Sequence, residues 1–263
     1  MKKYVICIPA SDDFALATAV LIHSIKKNLR VIDDCDFVVP FNNLNEKSMN
    51  LIRKAHKDTI FKKPVNSTFY SYIPRTIYGA GNYDIYLSFE TFSQVGYERS
   101  IYMDADMLCT GDFSDIIEDP AEIVWKFPNL GILVAGKKYL TGEAYTEMIR
   151  AVINTDIKNK PDGDQVTCQH FYGRNNPDVK VVSNLYNFQE FGAGGKGTAE
   201  HYDEHAENVK VIHYSGRRKP WGPMWDGDEY NKNCVRFGTL MNQSNAVKIW
   251  YEYYDNFREE CLG

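Results

Sequence analysis

Short apolar runs alternate with helical patterns along the first half of this chain, and that alternation most narrows what it can fold into. Tyr4 to Pro9, Cys35 to Pro40, the neighbourhood of Ile60, Ser100 to Met103 and Ile132 to Ala135 read as strands. Between them, Ala15, Leu16, Ala19, Val20 and Ile25 recur at helical spacing behind caps at Ser11 and Asp12. Asn45 to His56, Tyr86 to Val95 and Tyr139 to Asn154 read as further helices, Val209 to Tyr214 as a late strand and Asn245 to Cys261 as a closing helix. Strand and helix in turn predict an α/β fold, a Rossmann-like, mostly parallel sheet flanked by helices with right-handed crossovers. Ligands of such sheets sit outside the carboxyl ends of the strands. With 263 residues and no internal repeat, one domain over 1–263 is expected. Loops near 64–84 and 192–208, rich in proline, glycine and polar residues, are expected to cover its site.

Charge and cysteine usage remove several function classes. A net charge of −5 argues against a nucleic-acid surface, so a polyanion held here must be small and met by local cations or a metal. No segment approaches the roughly 20 apolar residues that span a bilayer, and the start of the chain lacks a signal peptide's apolar stretch. Cys7, Cys35, Cys109, Cys168, Cys234 and Cys261 are scattered without a CxxC pair, which suits free thiols and a cytoplasmic protein. The sequons at Asn66 and Asn242 then carry no meaning.

Chemistry concentrates where the strand Ile101-Tyr102-Met103 runs into Asp104-Ala105-Asp106. Two carboxylates at a strand end can approach one ion, and hard oxygen ligands suit Mg²⁺ or Mn²⁺. A solvated turn is the competing reading of so short a motif. The block His213-Tyr214-Ser215-Gly216-Arg217-Arg218-Lys219-Pro220-Trp221 adds an imidazole, a glycine that permits close backbone approach and a lysine able to neutralise a phosphate. Read blandly, it is a satisfied histidine followed by an exposed basic turn.

Three other motifs compete. His201-Tyr202-Asp203-Glu204-His205 matches a zinc-peptidase pattern, but polar and glycine-rich flanks favour a solvated segment, one able to face an acceptor. Gly192 to Thr198 lacks the adjacent lysine and threonine of a phosphate loop. Trp250, Tyr254 and Phe257 fall at helical spacing and are expected to pack as one face.

Taken in order, these stretches resemble glycosyltransferase family 8, the glycogenin-like family. The resemblance runs through Ser11-Asp12-Asp13-Phe14, Asp104-Ala105-Asp106, Pro128-Asn129-Leu130-Gly131-Ile132, Asp164-Gln165 and the block from His213 to Trp221. It implies a GT-A type fold and a retaining, Mn²⁺-dependent transfer of a hexose from UDP-glucose or UDP-galactose to an acceptor hydroxyl, with Mg²⁺ as the alternative ion. By the same resemblance, Asp104, Asp106 and His213 would hold the metal, and Lys219 with Gly216 the departing phosphate. Asn129 and Asp164 would bind sugar hydroxyls, Gln165 would lie beneath the anomeric carbon, and Ala10, Asp12 and Phe14 would surround the base. Asp164, Gln165 and Lys219 would thus be the catalytic group, and Ala105 would line the donor site between the two aspartates.

There are departures. Ser88 stands where the family often has a phosphate-contacting lysine, a loss that Arg75, Arg217 or Arg218 would have to cover. Pro9, Ala10 and Phe14 replace hydroxyl-bearing residues common at the base pocket. Expected partners are the UDP-sugar and a separate acceptor (a glycan, a polyol or a protein), with a homodimer among the allowed assemblies. The alternatives are a glycogenin-like self-glucosylating protein, for which Tyr202 is the nearest candidate tyrosine, and a nucleotide-binding module without turnover. A nucleotidyltransferase would need a glycine-rich transfer loop that this sequence does not show.

Overall fold

A computed structural model describes residues 2–72, 82–155, 163–189, 202–215, 219–221 and 245–263, with the side chains of 71, 72 and 82–84 excepted. Seven strands form the main sheet in the order β3-β2-β1-β4-β7-β6-β8. They are β1 (Tyr4–Cys7), β2 (Cys35–Pro40), β3 (Ile60–Lys62), β4 (Arg99–Met103), β6 (Ile123–Trp125), β7 (Ile132–Gly136) and β8 (Val179–Val181). All run the same way except β7, which lies antiparallel between β4 and β6. Mostly parallel is therefore the right description.

Central strands of such a sheet are covered on both faces and read as unbroken apolar runs. Every residue of β1 and of β7 is buried. Alternate residues serve opposite faces: Tyr4, Ile6, Ile101, Met103 and Val134 join one core, while Val5, Tyr102, Leu133 and Ala135 join the other. Helix α1 (Ala15–Asn28) packs on the first core and is buried from Ala17 to Ile25 without a break. The flanking helices carry their own caps. The Asn45 side chain accepts from Ser48 N at 2.9 Å to start α2 (Glu46–Ala55), and Thr141 Oγ1 accepts from Ala144 N at 3.1 Å to start α5 (Gly142–Asn154).

A second, three-stranded sheet has the order β5-β10-β9, from β5 (Met107–Cys109), β9 (Phe188–Gln189) and β10 (Val211–His213). Strand β10 pairs antiparallel with β5, setting His213 opposite Met107, and parallel with β9 on its other side. The closing helix α7 (Asn245–Phe257) buries Trp250 and Phe257 with Tyr254 stacked on Trp250 at 5.5 Å, the packing face expected from its spacing. Among the described residues no helix is long and apolar enough to cross a membrane.

Three expectations change. Inside 64–84, expected to be a loop, Ser67–Tyr72 forms a short helix, α3. The buried Glu90 carboxylate holds its start, accepting from Val65 N at 3.2 Å, from Tyr70 Oη at 3.3 Å and from Tyr145 Oη at 2.6 Å. The helix expected over Tyr86 to Val95 is a 3₁₀ stretch, Asn82–Ser93. Near its end the Glu90 carbonyl is occupied by Ser93 Oγ and Gln94 Nε2, both at 2.8 Å, side-chain donors that compete with regular helical bonding. Tyr202 is buried against Phe188 with ring centroids 5.7 Å apart, so within the 192–208 segment this residue is core, while Asp203, Glu204, Glu207 and Asn208 are exposed as expected of a solvated stretch. Residues 190–201 lie outside the described residues.

Ile101, fully buried at the centre of β4, is a strong test of this core. Ile101→Ala should lower the unfolding free energy by about 2–5 kcal/mol, read from the urea midpoint. Val95→Ala, 64% exposed, should stay within about 0.5 kcal/mol of the parent.

Candidate metal and donor site

Asp104 and Asp106 occupy the junction between the two sheets. Strand β4 ends at Met103 and β5 begins at Met107, so the three residues between them turn from one sheet into the other. Backbone bonds tie each aspartate to a different neighbour: Asp104 N donates to Gly131 O and Tyr214 N donates to Asp106 O, both at 2.9 Å. Asp104 falls two residues beyond Tyr102, on the same face of the chain, and Tyr102 Oη donates to its Oδ1. His213 arrives through the register of β10 on β5. Its Nε2 lies 3.5 Å from Asp104 Oδ2 and 3.2 Å from Asp106 Oδ1. One ligand atom from each of the three lies within 4.8 Å of the others. Two hard oxygens and one imidazole nitrogen in such a cluster fit Mn²⁺ or Mg²⁺, with open positions left for phosphate or water.

Lys219 completes the charge balance. Its Nζ donates to Asp106 Oδ2 and, at 2.7 Å, to Tyr214 O, and it stands 5.9 Å from the centroid of the Phe14 ring. Phe14 meets Trp221 edge-on at 5.8 Å, and Trp221 leans on Trp250 at 5.6 Å, so aromatic contacts run from the expected base pocket to α7. Burial works to raise the Asp106 carboxyl, but Lys219 and then His213 outweigh it and hold it well below the usual carboxylate range. Burial pushes Asp104 up to about 6, with His213 opposing the rise and Asp106 adding to it. Burial also disfavours a charged His213, yet Asp106 and then Asp104 raise it above its ordinary value.

Asn129 and Gln165, expected on the sugar side, belong to one connected chain of hydrogen bonds. Asn129 Nδ2 donates to Gln165 Oε1 at 3.3 Å, and Leu130 N donates to the same oxygen at 3.2 Å. Asn129 Oδ1 accepts from Gly131 N at 3.1 Å and from Asn187 Nδ2 at 2.7 Å. Asn187 Oδ1 lies 2.9 Å from His213 Nδ1. Asp164 and Gln165 sit in the first turn of α6 (Gly163–Phe171), where Asp164 Oδ2 accepts from Ser88 Oγ at 3.2 Å. Ser88 thus partners the very carboxylate expected on the sugar. Gly131 makes room for the rest: a Cβ there would fall 2.6 Å from His213 Nδ1 and 2.8 Å from Asn187 Nδ2.

The structure therefore gathers Asp104, Ala105, Asp106, His213, Lys219 and Phe14 at one end, and links Asn129 and Gln165 to His213. Ala10 is buried behind β2, its N–H donating to Pro40 O at 3.1 Å. Asp12 is exposed, and its Oδ1 accepts from Asn45 N at 2.9 Å, so half of that carboxylate braces the start of α2. Gly216, Arg217, Arg218 and Arg75 lie outside the described residues. Tyr102 and Asn187 were not foreseen as site residues. The i, i+2 spacing from Tyr102 to Asp104 was a usable signal; Asn187 stands in the pair Tyr186-Asn187, which matches the Tyr-Asn of the glycogenin-like family but carried no site role.

As pH falls, His213, raised above its ordinary value, takes up its proton first and Asp104 follows through about 6; an entering cation must displace both. Divalent-ion affinity should therefore weaken in acid and be fully expressed only above that range. Titration calorimetry at pH 6.5 in buffers of different ionisation enthalpy should register proton release; equal apparent enthalpies in all buffers would contradict this charge assignment.

Comparison with known proteins bears on the fold and on the family likeness. A family model described as Glycosyl transferase family 8 matches residues 119–224. Mouse (Mus musculus) glycogenin-1 is 22% identical over 171 residues, 62% of this chain and 49% of its own length, so the chain spans about half of that relative. Among solved structures, the glycosyltransferase GlyE of Streptococcus pneumoniae TIGR4 superposes with a TM-score of 0.67 at 14% identity, over 99% of this chain and 63% of that one. The galactosyltransferase LgtC, solved with donor and acceptor sugar analogues, gives 0.66 at 14% identity over 96% and 95%. At such identities the structures speak for the fold, which is of the GT-A type. Sequence motifs, the family match over residues 119–224 and the fold all liken this chain to glycosyltransferase family 8.

Proposed function

We propose that this chain is a retaining, Mn²⁺-dependent hexosyltransferase that uses UDP-glucose or UDP-galactose and delivers the sugar to the hydroxyl of a separate acceptor. The observation that carries this reading is the convergence of Asp104, Asp106 and His213 with Lys219 held against Asp106. A divalent cation held by the three would supply charge neutralisation for the donor's diphosphate. Lys219, close enough to share Asp106, moves its ammonium onto the departing phosphate as negative charge builds there, which is electrostatic catalysis. Asp164, at the start of α6, accepts hydrogen bonds from sugar hydroxyls, and Phe14 offers a ring face to the base.

Gln165 bears on the stereochemistry. Its Oε1 is engaged by two donors, Leu130 N and Asn129 Nδ2, leaving Nε2 as the atom free to turn toward a sugar. An amide oxygen so held is a poor nucleophile at the anomeric carbon. This favours attack from the face the diphosphate leaves. The anomeric carbon–phosphate oxygen bond breaks, the acceptor oxygen bonds to that carbon, and the acceptor's proton passes to the departing phosphate oxygen. Retention follows without a covalent sugar–enzyme step. The five described cysteines are unpaired, in keeping with a reducing cytoplasm.

Purified protein with Mn²⁺ should release UDP slowly from UDP-glucose or UDP-galactose, and Asp106→Ala should abolish both this release and Mn²⁺-dependent UDP binding while keeping the parent's circular dichroism. An Asp106→Ala protein that bound Mn²⁺ and UDP as tightly as the parent would sink the site assignment. Tyr202, packed on Phe188, is no reachable acceptor for self-glucosylation. Intact mass after incubation with UDP-glucose and Mn²⁺ should therefore stay unchanged, and a ladder of hexose additions would reverse that choice.

A further inference from the structure

We propose that Asn187 is a positioning residue that fixes the tautomer of His213, holding the proton on Nδ1 and turning the Nε2 lone pair toward Asp104 and Asp106. The argument starts from a backbone amide. Gly131 N–H can only donate, so the Asn129 side-chain atom 3.1 Å away is its oxygen. That oxygen lies 2.7 Å from Asn187, so the Asn187 atom facing it is the amide nitrogen. The other Asn187 atom is then an oxygen, 2.9 Å from His213 Nδ1, and an oxygen without hydrogen there requires Nδ1 to carry one. In the neutral ring Nε2 is left as the acceptor, 3.2 Å from Asp106 and 3.5 Å from Asp104. Each assignment follows from the one before it.

Packing holds the relay in place. Asn187 is fully buried and His213 is 4% exposed, so no bulk water competes for the bond between them. Both lie over the bare face of Gly131, where a Cβ would come within 2.6 Å of Nδ1 and 2.9 Å of Asn187 Oδ1. At the far end, the same Asn129 amide reaches Gln165. One chain of oriented amides thus sets both the imidazole at the metal cluster and the glutamine beside the sugar. This inference rests on the metal reading given above, and it extends it from the ligands to the group that orients one of them. Partners of this kind typically tune metal affinity about 10–100-fold.

Long-range ¹H–¹⁵N correlation spectra of ¹⁵N-histidine-labelled protein, recorded on the alkaline side of the His213 titration, read the tautomer directly. The His213 signal, assigned by its loss in His213→Gln, should show Nδ1 protonated and Nε2 bare; the reverse tautomer in the parent overturns the proposal. Calorimetry with Mn²⁺ supplies the second readout. Asn187→Asp keeps an acceptor for Nδ1–H but loses the amide donor to Asn129 Oδ1, so it should lose clearly less Mn²⁺ affinity than a variant without an acceptor. Asn187→Leu, close in volume but unable to accept, should lose about 10–100-fold. Equal losses in both variants would mark a packing role and overturn the proposal, as would a Leu variant that binds like the parent. A parent that binds no Mn²⁺ would instead defeat the metal reading, and the spectrum alone would then decide the tautomer.

Discussion

A carboxylate buried between two cationic groups governs the rest of this structure. Asp106 keeps 13% of its side chain exposed and faces Lys219 on one oxygen and His213 on the other. An unpaired charge in that position would be expensive, and partners hydrogen-bonded to it are what make its burial tolerable. Those partners come from the far end of the sequence, so the end of β4 and the block after β10 must meet wherever the protein folds. The antiparallel register of β10 on β5 is the device that brings them together, because it sets His213 opposite Met107, one residue past Asp106. The small sheet exists to deliver that histidine.

Much of this was legible in the sequence. The strand leading into Asp104 was visible because an apolar run ends abruptly in carboxylates, β1 and β7 because their burial on both faces leaves continuous apolar runs, and β2 because only Asp36 interrupts such a run. His213 and Lys219 stood out through the glycine, proline and tryptophan around them. Strands β5, β6, β8 and β9 were not legible. They are two or three residues long, too short for a period-two pattern to register, and the strands they pair with define them: β6 lies between β7 and β8, while β5, β8 and β9 are edges with one partner each. Segment 64–72 read as loop because its aromatic and hydroxyl residues have weak helix propensity; the tertiary grip of Glu90 overrides that preference.

Asn187 illustrates a different limit. The asparagine between Tyr186 and Phe188 carries no periodic signal, and its match to the Tyr-Asn pair of the glycogenin-like family names no role for it. Its significance comes from facing Asn129 and His213 at once, a coincidence of three segments that no local window contains. Ser88 is comparable: the sequence marked it as a missing cation, and the structure gives it work on the carboxylate of Asp164. Residues that touch substrate can announce themselves through motif chemistry, whereas residues that orient them become visible only with the fold.

The junction at Asp104-Ala105-Asp106 has a topological consequence. These residues are continuous with the large sheet on one side and the small sheet on the other, and His213 returns to them after roughly a hundred intervening residues, a long loop by the measure of closure entropy. An ion shared by the three side chains would act as a removable cross-link closing that loop, stabilising the folded chain by mass action for as long as it is bound. The entropy of a large part of the polypeptide would then be coupled to the occupancy of a single coordination sphere. Cation supply would set how tightly the two sheets are stapled as well as whether the site is charged for chemistry.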